Sequence, residues 1–364
     1  MARHTLLAAG EGYNLSQQTG KWPIPTKLLE LSMQSMASLS QEAVMAVPEP
    51  EEPSYTVEEP DGDQELLLQG ILDVKLMPIG PLKTETTVVG VDASCIKLGE
   101  TSSGLIVALR GAVVWRMSSS CRYIRVGPLI FHITDENKGL IYGTLRRLCL
   151  GLPERQEAPS LPYLPVRMAN IFEQWIREMA CRCFTDSIML FDGSLTVGPD
   201  GVGRSLETIL ELARANSDIV IAISKSSNLR LMGRKLMDWL NGFNGPYLLE
   251  IGAGALPRAP NIRLLGRIYV AKLARTGYAF RLDVDAGVPR ETGIDAIRAL
   301  LANDAIYQGY PEVLRLAHIM CTFTAPEVMA MQLMLSRTYG LRMIQRPDLR
   351  RLLFGPFGTG GRLT

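Results

Sequence analysis

The chain has 364 residues, 47% of them hydrophobic, and sets 38 Lys plus Arg against 37 Asp plus Glu. That length carries one large or two smaller domains with a substantial core. The balanced charge excludes a surface that is basic overall, so any contact with nucleic acid must come from local clusters.

Taken in chain order, the N-terminal "MARHTLLAAGEGYN" has only a short apolar patch, so no secretory leader is expected. Residues 21–46 read as a helical segment, with Leu28, Leu29, Leu31, Met33, Met36 and Leu39 at loosely helical intervals. Residues 47–63, "VPEPEEPSYTVEEPDGD", hold prolines and acidic residues with no Lys or Arg, the composition of a solvated linker. This divides the chain into an N-terminal helical segment (1–46), the acidic linker (47–63) and a main domain (64–364).

From residue 86 the pattern changes to strands: "TTVVGVD", "GLIVALRGAVVWRM" and "YIRVGPLIFHIT" are rich in Val and Ile and punctuated by Gly or Ser. "GLIVALRGAVVW" comes nearest to a membrane span but is far short of about 18 apolar residues. Arg110 interrupts it, and it reads as two strands. Next, Met168, Ile171, Phe172, Trp175, Ile176 and Met179 mark an amphipathic helix. The strand "SIMLFD", the helix "SLETILELARAN" and the strand "DIVIAISK" follow, then a hairpin in "IRLLGRIYVAKLARTGYAFRLDVD". From about residue 292 the chain reads mostly as helix. Three meandering strands, a crossover helix and a further strand give an α/β fold with a ribonuclease-H-like mixed-sheet core, flanking helices and a helical C-terminal part.

In that fold the first strand is central and the strand after the crossover helix lies beside it. Asp92 and Asp192, each ending an apolar run and followed by a small residue, would then be neighbours. Two adjacent carboxylates repel, and a hard divalent cation such as Mn²⁺ or Mg²⁺ relieves the repulsion. Such a site suits phosphodiester hydrolysis. The crossover helix offers a third carboxylate, with Glu173 preferred and Glu178 the alternative; Glu173 also has a plain partner in Arg177 at i, i+4. Lys225, after the strand ending "ISK", would hold a phosphate as a point charge. Tyr310 and His318 stand about two helical turns apart in "YPEVLRLAH" and share a face if a helix begins near Pro311. On its own, a histidine among Leu314, Leu316, Ala317 and Ile319 reads as a core residue.

The four segments "VGVDAS", "LFDGSL", "ISKSS" and "YPEVLRLAH", in this order, resemble the NurA family of archaeal and bacterial DNA nucleases, over residues from about 86 to 325. The resemblance implies a PIWI-related core and an Mn²⁺-dependent deoxyribonuclease, with Mg²⁺ as the alternative ion. The implied activity is 5′–3′ exonuclease with single-strand endonuclease, in DNA end resection for recombinational repair. The implied partners are DNA, a second copy in a homodimer and a hexameric HerA-type translocase ATPase. Residue by residue, the family's two aspartates fall on Asp92 and Asp192, its helical glutamate on Glu173, and its tyrosine and histidine on Tyr310 and His318. Metal ligation is implied for Asp92, Glu173, Asp192 and His318. The family's motif has Gly after the first aspartate where this chain has Ala93, and the N-terminal 80 residues match nothing in it.

DNA contacts are expected from Lys225 and the cluster Arg230, Arg234 and Lys235, with a second cluster at Arg342, Arg346, Arg350, Arg351 and Arg362. A cytoplasmic, nucleoid-associated location without membrane attachment is expected. The competing reading is a non-catalytic DNA-binding or interaction subunit on the same fold. An NTPase is excluded by the lack of G-x-x-x-x-G-K-[ST].

Overall fold

A computed structural model describes residues 4–8, 11–17, 24–37, 39, 43–47, 64–65, 76–153, 157–197, 203–227, 229–252, 263–345 and 353. The acidic segment 48–63 and Arg346, Arg350, Arg351 and Arg362 lie outside the described residues.

Helix α1 (Thr26–Ala37) buries Leu28 and Leu31, and Ser32 Oγ donates to the Ile130 carbonyl at 2.6 Å. The expected helix to residue 46 stops short: Ala43–Ala46 is a strand. It pairs in parallel with Arg342–Gln345 and antiparallel with Gly99 and Glu100. That long-range pairing, with Val44 and Ala46 facing inward, overrides a local pattern that is equivocal over four residues.

Three long antiparallel strands follow: β1 (Thr87–Glu100), β2 (Gly104–Met117) and β3 (Ser120–Thr134). The "GLIVALRGAVVWRM" stretch is one strand and not two. Arg110 is absorbed at a register shift and buried, its guanidinium 4.0 Å above the Phe323 ring and donating to Glu327 Oε1 at 3.0 Å. Two helices then cross over, α2 (Lys138–Leu150), absent from the sequence reading, and α3 (Leu164–Cys183). They lead to β4 (Ser187–Asp192), α4 (Gly203–Ala215) and β5 (Ile219–Ser224). A second sheet segment is built from β6 (Tyr247–Ile251) and the expected hairpin of β7 (Gly266–Lys272) and β8 (Phe280–Asp285). Helices α5 (Arg290–Asn303), α6 (Glu312–Cys321) and α7 (Ala325–Tyr339) follow.

Along the main sheet the strands run β3-β2-β1-β4-β5-β8-β7-β6. β4 is parallel to both β1 and β5, and the other neighbours are antiparallel. The sheet is mixed, β1 is central and the strand after the crossover lies beside it, as the element order required.

Alternation along the strands divides the core. Val89, Val91, Met189 and Phe191 face the layer of α2, α3 and α4, whereas Val88, Ile188, Leu190 and Ile223 face α5 and α6. Helices on both faces explain why these strands read as continuous apolar runs. Two glycines set how close the helices come. A Cβ on Gly111 would fall inside the Ile176 side chain of α3, and one on Gly90 would lie 2.9 Å from the Val313 carbonyl oxygen of α6.

Glu312–Tyr339 contains an 18-residue window of mean hydropathy 1.2, more apolar than the sequence reading allowed. Here it is two helices. A capping box between Thr324 and Glu327 starts α7.

Candidate metal-dependent active site

The parallel pairing of β1 and β4 aligns Val91 with Phe191. The next residues, Asp92 and Asp192, therefore leave the two strands at the same level and toward the same face. Asp192 ends β4, where Gly193 turns the chain at φ +94, a region that favours glycine. Asp92 does not end its strand, contrary to the sequence reading. β1 runs on to Glu100, so the site forms where β4 stops alongside a longer neighbour.

Each carboxylate has a cation-capable partner. His318 Nδ1 lies 2.7 Å from Asp92 Oδ2, and Lys225 Nζ lies 2.8 Å from Asp192 Oδ2. Lys225 follows β5, whose Ile223 is aligned with Asp192. His318 arrives on α6, whose Val313–Leu314 backbone packs over Gly90 of β1. The helix starts at Glu312 with Pro311 as its cap, so Tyr310 sits just before it, and the Tyr310 hydroxyl donates to Asp192 Oδ1 at 3.5 Å. The His318 side chain is 39% exposed at the site. It is not the core histidine that its neighbours in sequence suggested.

Glu173 comes from α3. Arg177, buried one turn later, donates to Glu173 Oε1 at 2.5 Å and to the Asp192 carbonyl at 2.7 Å, and its guanidinium packs 4.7 Å from the Phe191 ring centre. The plain i, i+4 pair and the site position are thus the same arrangement. Glu178 points elsewhere and pairs with Arg182 at 2.7 Å.

Electrostatics follow from this crowding. Burial pushes the Glu173 carboxyl up to about 7; Arg177 opposes this, and the Asp92 and Asp192 charges add to it. His318 is raised, first by its hydrogen bond to Asp92 and against the effect of burial. Burial lowers Lys225, but Asp192 and Asp92 raise it to a net increase. Tyr310 is raised by burial and then by the two aspartates, and stays a neutral phenol.

The carboxylates of Asp92, Asp192 and Glu173 and the His318 imidazole are ligand types that a hard divalent cation takes. Among the described residues, the group whose ligand atoms all lie within 4.8 Å of one another is Asp92, His318 and Cys321; Asp192 and Glu173 stand outside it. Cys321 was not singled out from sequence. Burial first, and then Asp92, raise its thiol well above the usual range, and the sulfur donates to the His318 carbonyl at 3.2 Å. Its thiol lies against Asp92 as well.

One further feature escaped the sequence reading. Asp283 and Arg281, both 1% exposed, pair at 2.9 Å, and Asp283 Oδ2 accepts from the Leu195 amide at 3.0 Å. This clamps the loop after Asp192. Arg230, Arg234 and Lys235 lie on a separate small hairpin, in which Arg230 is aligned with Lys235. Arg342 is exposed on the strand paired with Ala43–Ala46.

Residues 167–320 match the family model of the NurA domain. The match holds Glu173, Asp192, Lys225, Tyr310 and His318, while Asp92 comes from the strand before it. Among solved structures, the chain resembles the NurA nuclease from Sulfolobus solfataricus, with 15% identity and a TM-score of 0.49 over 75% of this chain and 91% of that one. A structure of NurA with manganese is 12% identical, with a TM-score of 0.41 over 79% and 95%. One of NurA bound to dAMP and manganese is 10% identical, with a TM-score of 0.39 over 70% and 88%. No curated protein matches the chain.

Proposed function

We propose that this chain is a metal-dependent nuclease that hydrolyses DNA phosphodiester bonds, with Mn²⁺ as its ion. The observation that carries this is the level pairing of Asp92 and Asp192 on adjacent parallel strands, joined by Glu173 from one helical layer and His318 from the other. A bound divalent ion would neutralise the carboxylates and the charge that develops on the phosphate oxygens.

Asp92, Asp192 and Glu173 would hold the ion, with His318 beside them. Arg177 keeps Glu173 and the Asp192 backbone in fixed relation. Lys225, 42% exposed, is the cation with room to leave Asp192 for a phosphate oxygen. Tyr310, as a neutral phenol, orients a water or phosphate oxygen through its hydroxyl. His318, with its affinity for a proton raised first by its hydrogen bond to Asp92, faces the same carboxylates.

Finer attributes rest on the resemblance of the four motifs. They are 5′–3′ exonuclease and single-strand endonuclease activity, a role in end resection, a homodimer and a HerA-type translocase as partner. A cytoplasmic location accords with them.

The test is incubation with end-labelled single- and double-stranded DNA in Mn²⁺, Mg²⁺ or EDTA. Cleavage is expected with metal, absent in EDTA and abolished in Asp92→Asn and Asp192→Asn, which should keep the parental fold. DNA bound but left intact under every metal condition would favour the non-catalytic subunit instead.

A further inference from the structure

The main sheet delivers more than the carboxylates to one edge. β5 ends at Ser224, which is aligned with Arg281 near the start of β8. The turn 273–279, which enters β8, therefore emerges at the edge that carries Lys225. β7 ends at Lys272, aligned with Tyr247 at the start of β6, so the loop 241–246 emerges there as well. These segments are tied together. Lys272 Nζ donates to the Asn241 and Phe243 carbonyls at 2.9 and 2.7 Å, and the Ala279 amide donates to Asn241 Oδ1 at 2.6 Å. The Tyr278 amide donates to the Gln308 carbonyl at 2.9 Å, joining the rim to the hairpin that carries Tyr310. Phe280 meets Tyr310 edge-to-face at 5.3 Å.

What this rim exposes is unusual. Trp239 is 43% exposed, Phe243 41% and Tyr278 59%. Trp239 and Phe243 meet edge-to-face at 5.5 Å. The same segments carry the exposed cations Arg234, Lys235 and Arg275. Asp238 is the single acid in residues 229–245 and 272–280. Exposed aromatics are costly unless something covers them, and the interleaved positive charge selects a polyanion with flat apolar faces. A duplex hides its base faces, whereas a single strand offers one per nucleotide to stack on and a phosphate to pair with the cations. Four strand spacings separate Asp192 from Tyr247, about 19 Å, room for several nucleotides of extended strand.

We propose that this rim is a binding track for single-stranded nucleic acid, with Trp239, Phe243 and Tyr278 stacking on bases and Arg234, Lys235 and Arg275 pairing with phosphates. The track leads toward Tyr310 and the carboxylates. It deepens the nuclease reading and rests on it for its purpose, but the binding itself is tested without catalysis.

The measurement is titration of the full chain with fluorescein-labelled oligo-dT in EDTA, read by anisotropy and by quenching of tryptophan fluorescence. Trp239→Ala and Tyr278→Ala should each weaken binding about thirtyfold, the middle of the range for loss of one stacked base. Trp239→Phe keeps a stacking face and should bind near the parental affinity while abolishing most of the quench. Arg234→Ala with Lys235→Ala should flatten the log–log salt slope by about 0.7 per charge lost. These side chains are exposed, so parental melting temperatures are expected. Parental affinity in a Trp239→Ala, Tyr278→Ala double variant would overturn the track, as would an equal loss of affinity for a blunt duplex. Failure of the parent to cleave DNA in Mn²⁺ would instead strike the nuclease reading and leave the binding result standing.

Discussion

Gly90→Ala tests the geometry that joins α6 to the carboxylates. The added methyl would sit 2.9 Å from the Val313 carbonyl oxygen and 3.0 Å from the Leu314 amide nitrogen and Cα. All three are backbone atoms, so no side chain can rotate away. Relief to ordinary contact at about 3.5 Å needs α6 to withdraw from β1 by roughly half an ångström. His318 lies on the next turns of that helix, and its 2.7 Å bond to Asp92 would stretch toward about 3.2 Å, beyond the range of a charge-assisted bond. Overpacking of a rigid core site costs about 1–3 kcal/mol. A shift of half an ångström in a catalytic group should lower the cleavage rate about tenfold, given that about 1 Å can cost 100-fold. The assay pairs the rate on end-labelled DNA in Mn²⁺ with thermal melting. Gly139→Ala is the control, because a Cβ there meets nothing within 4 Å and Ala suits the first turn of α2. Gly139→Ala should match or slightly exceed the parental melting temperature. A Gly90→Ala protein with parental rate and parental melting would refute the reasoning.

Two other outcomes follow from the same geometry. Glu173→Gln should reduce calorimetric Mn²⁺ affinity and cleavage by about 100-fold or more, whereas Glu178→Gln, which loses a surface pair with Arg182, should stay within about twofold of the parent on both; equal effects would reopen the choice of carboxylate. Asp218 is 1% exposed and accepts from the Ser187 amide and hydroxyl on Oδ1, while burial pushes its carboxyl up to about 6 from an ordinary 3.8. The folded state therefore holds the proton more tightly than the unfolded chain. The stability this contributes is complete below about pH 3.8 and is lost as pH rises through about 6, amounting to no more than about 3 kcal/mol. Asp218→Asn should gain stability relative to the parent between about pH 4.5 and about pH 7.5 in urea melts, and parallel pH profiles would rule this out.

The sequence by itself determined the order of elements in the core and singled out the residues that the fold brings together at the candidate site. Continuous Val- and Ile-rich runs announce buried strands. The spacing from Met168 to Met179 announces α3, and Asp92 and Asp192 stand out because two apolar runs each lead into a carboxylate followed by a small residue. Those signals are local, carried by side-chain periodicity and by polarity in the wrong place. Only the tertiary structure decided what depends on contacts between distant residues. Position along the helix favours Glu173 over Glu178 without deciding between them, and Arg177 then ties Glu173 to the Asp192 backbone. His318 looks like core until α6 settles on Gly90 and turns the imidazole toward Asp92. Ala43–Ala46 becomes a strand only because Arg342–Gln345 arrives to pair with it. The exposed rim of Trp239, Phe243 and Tyr278 is spread over loops that no sequence window joins, because it is the sheet's strand order that brings them to one edge. Periodicity along the chain reports which side of an element is buried. Which elements meet, and which polar group lies at the end of each, is set by packing across the sheet.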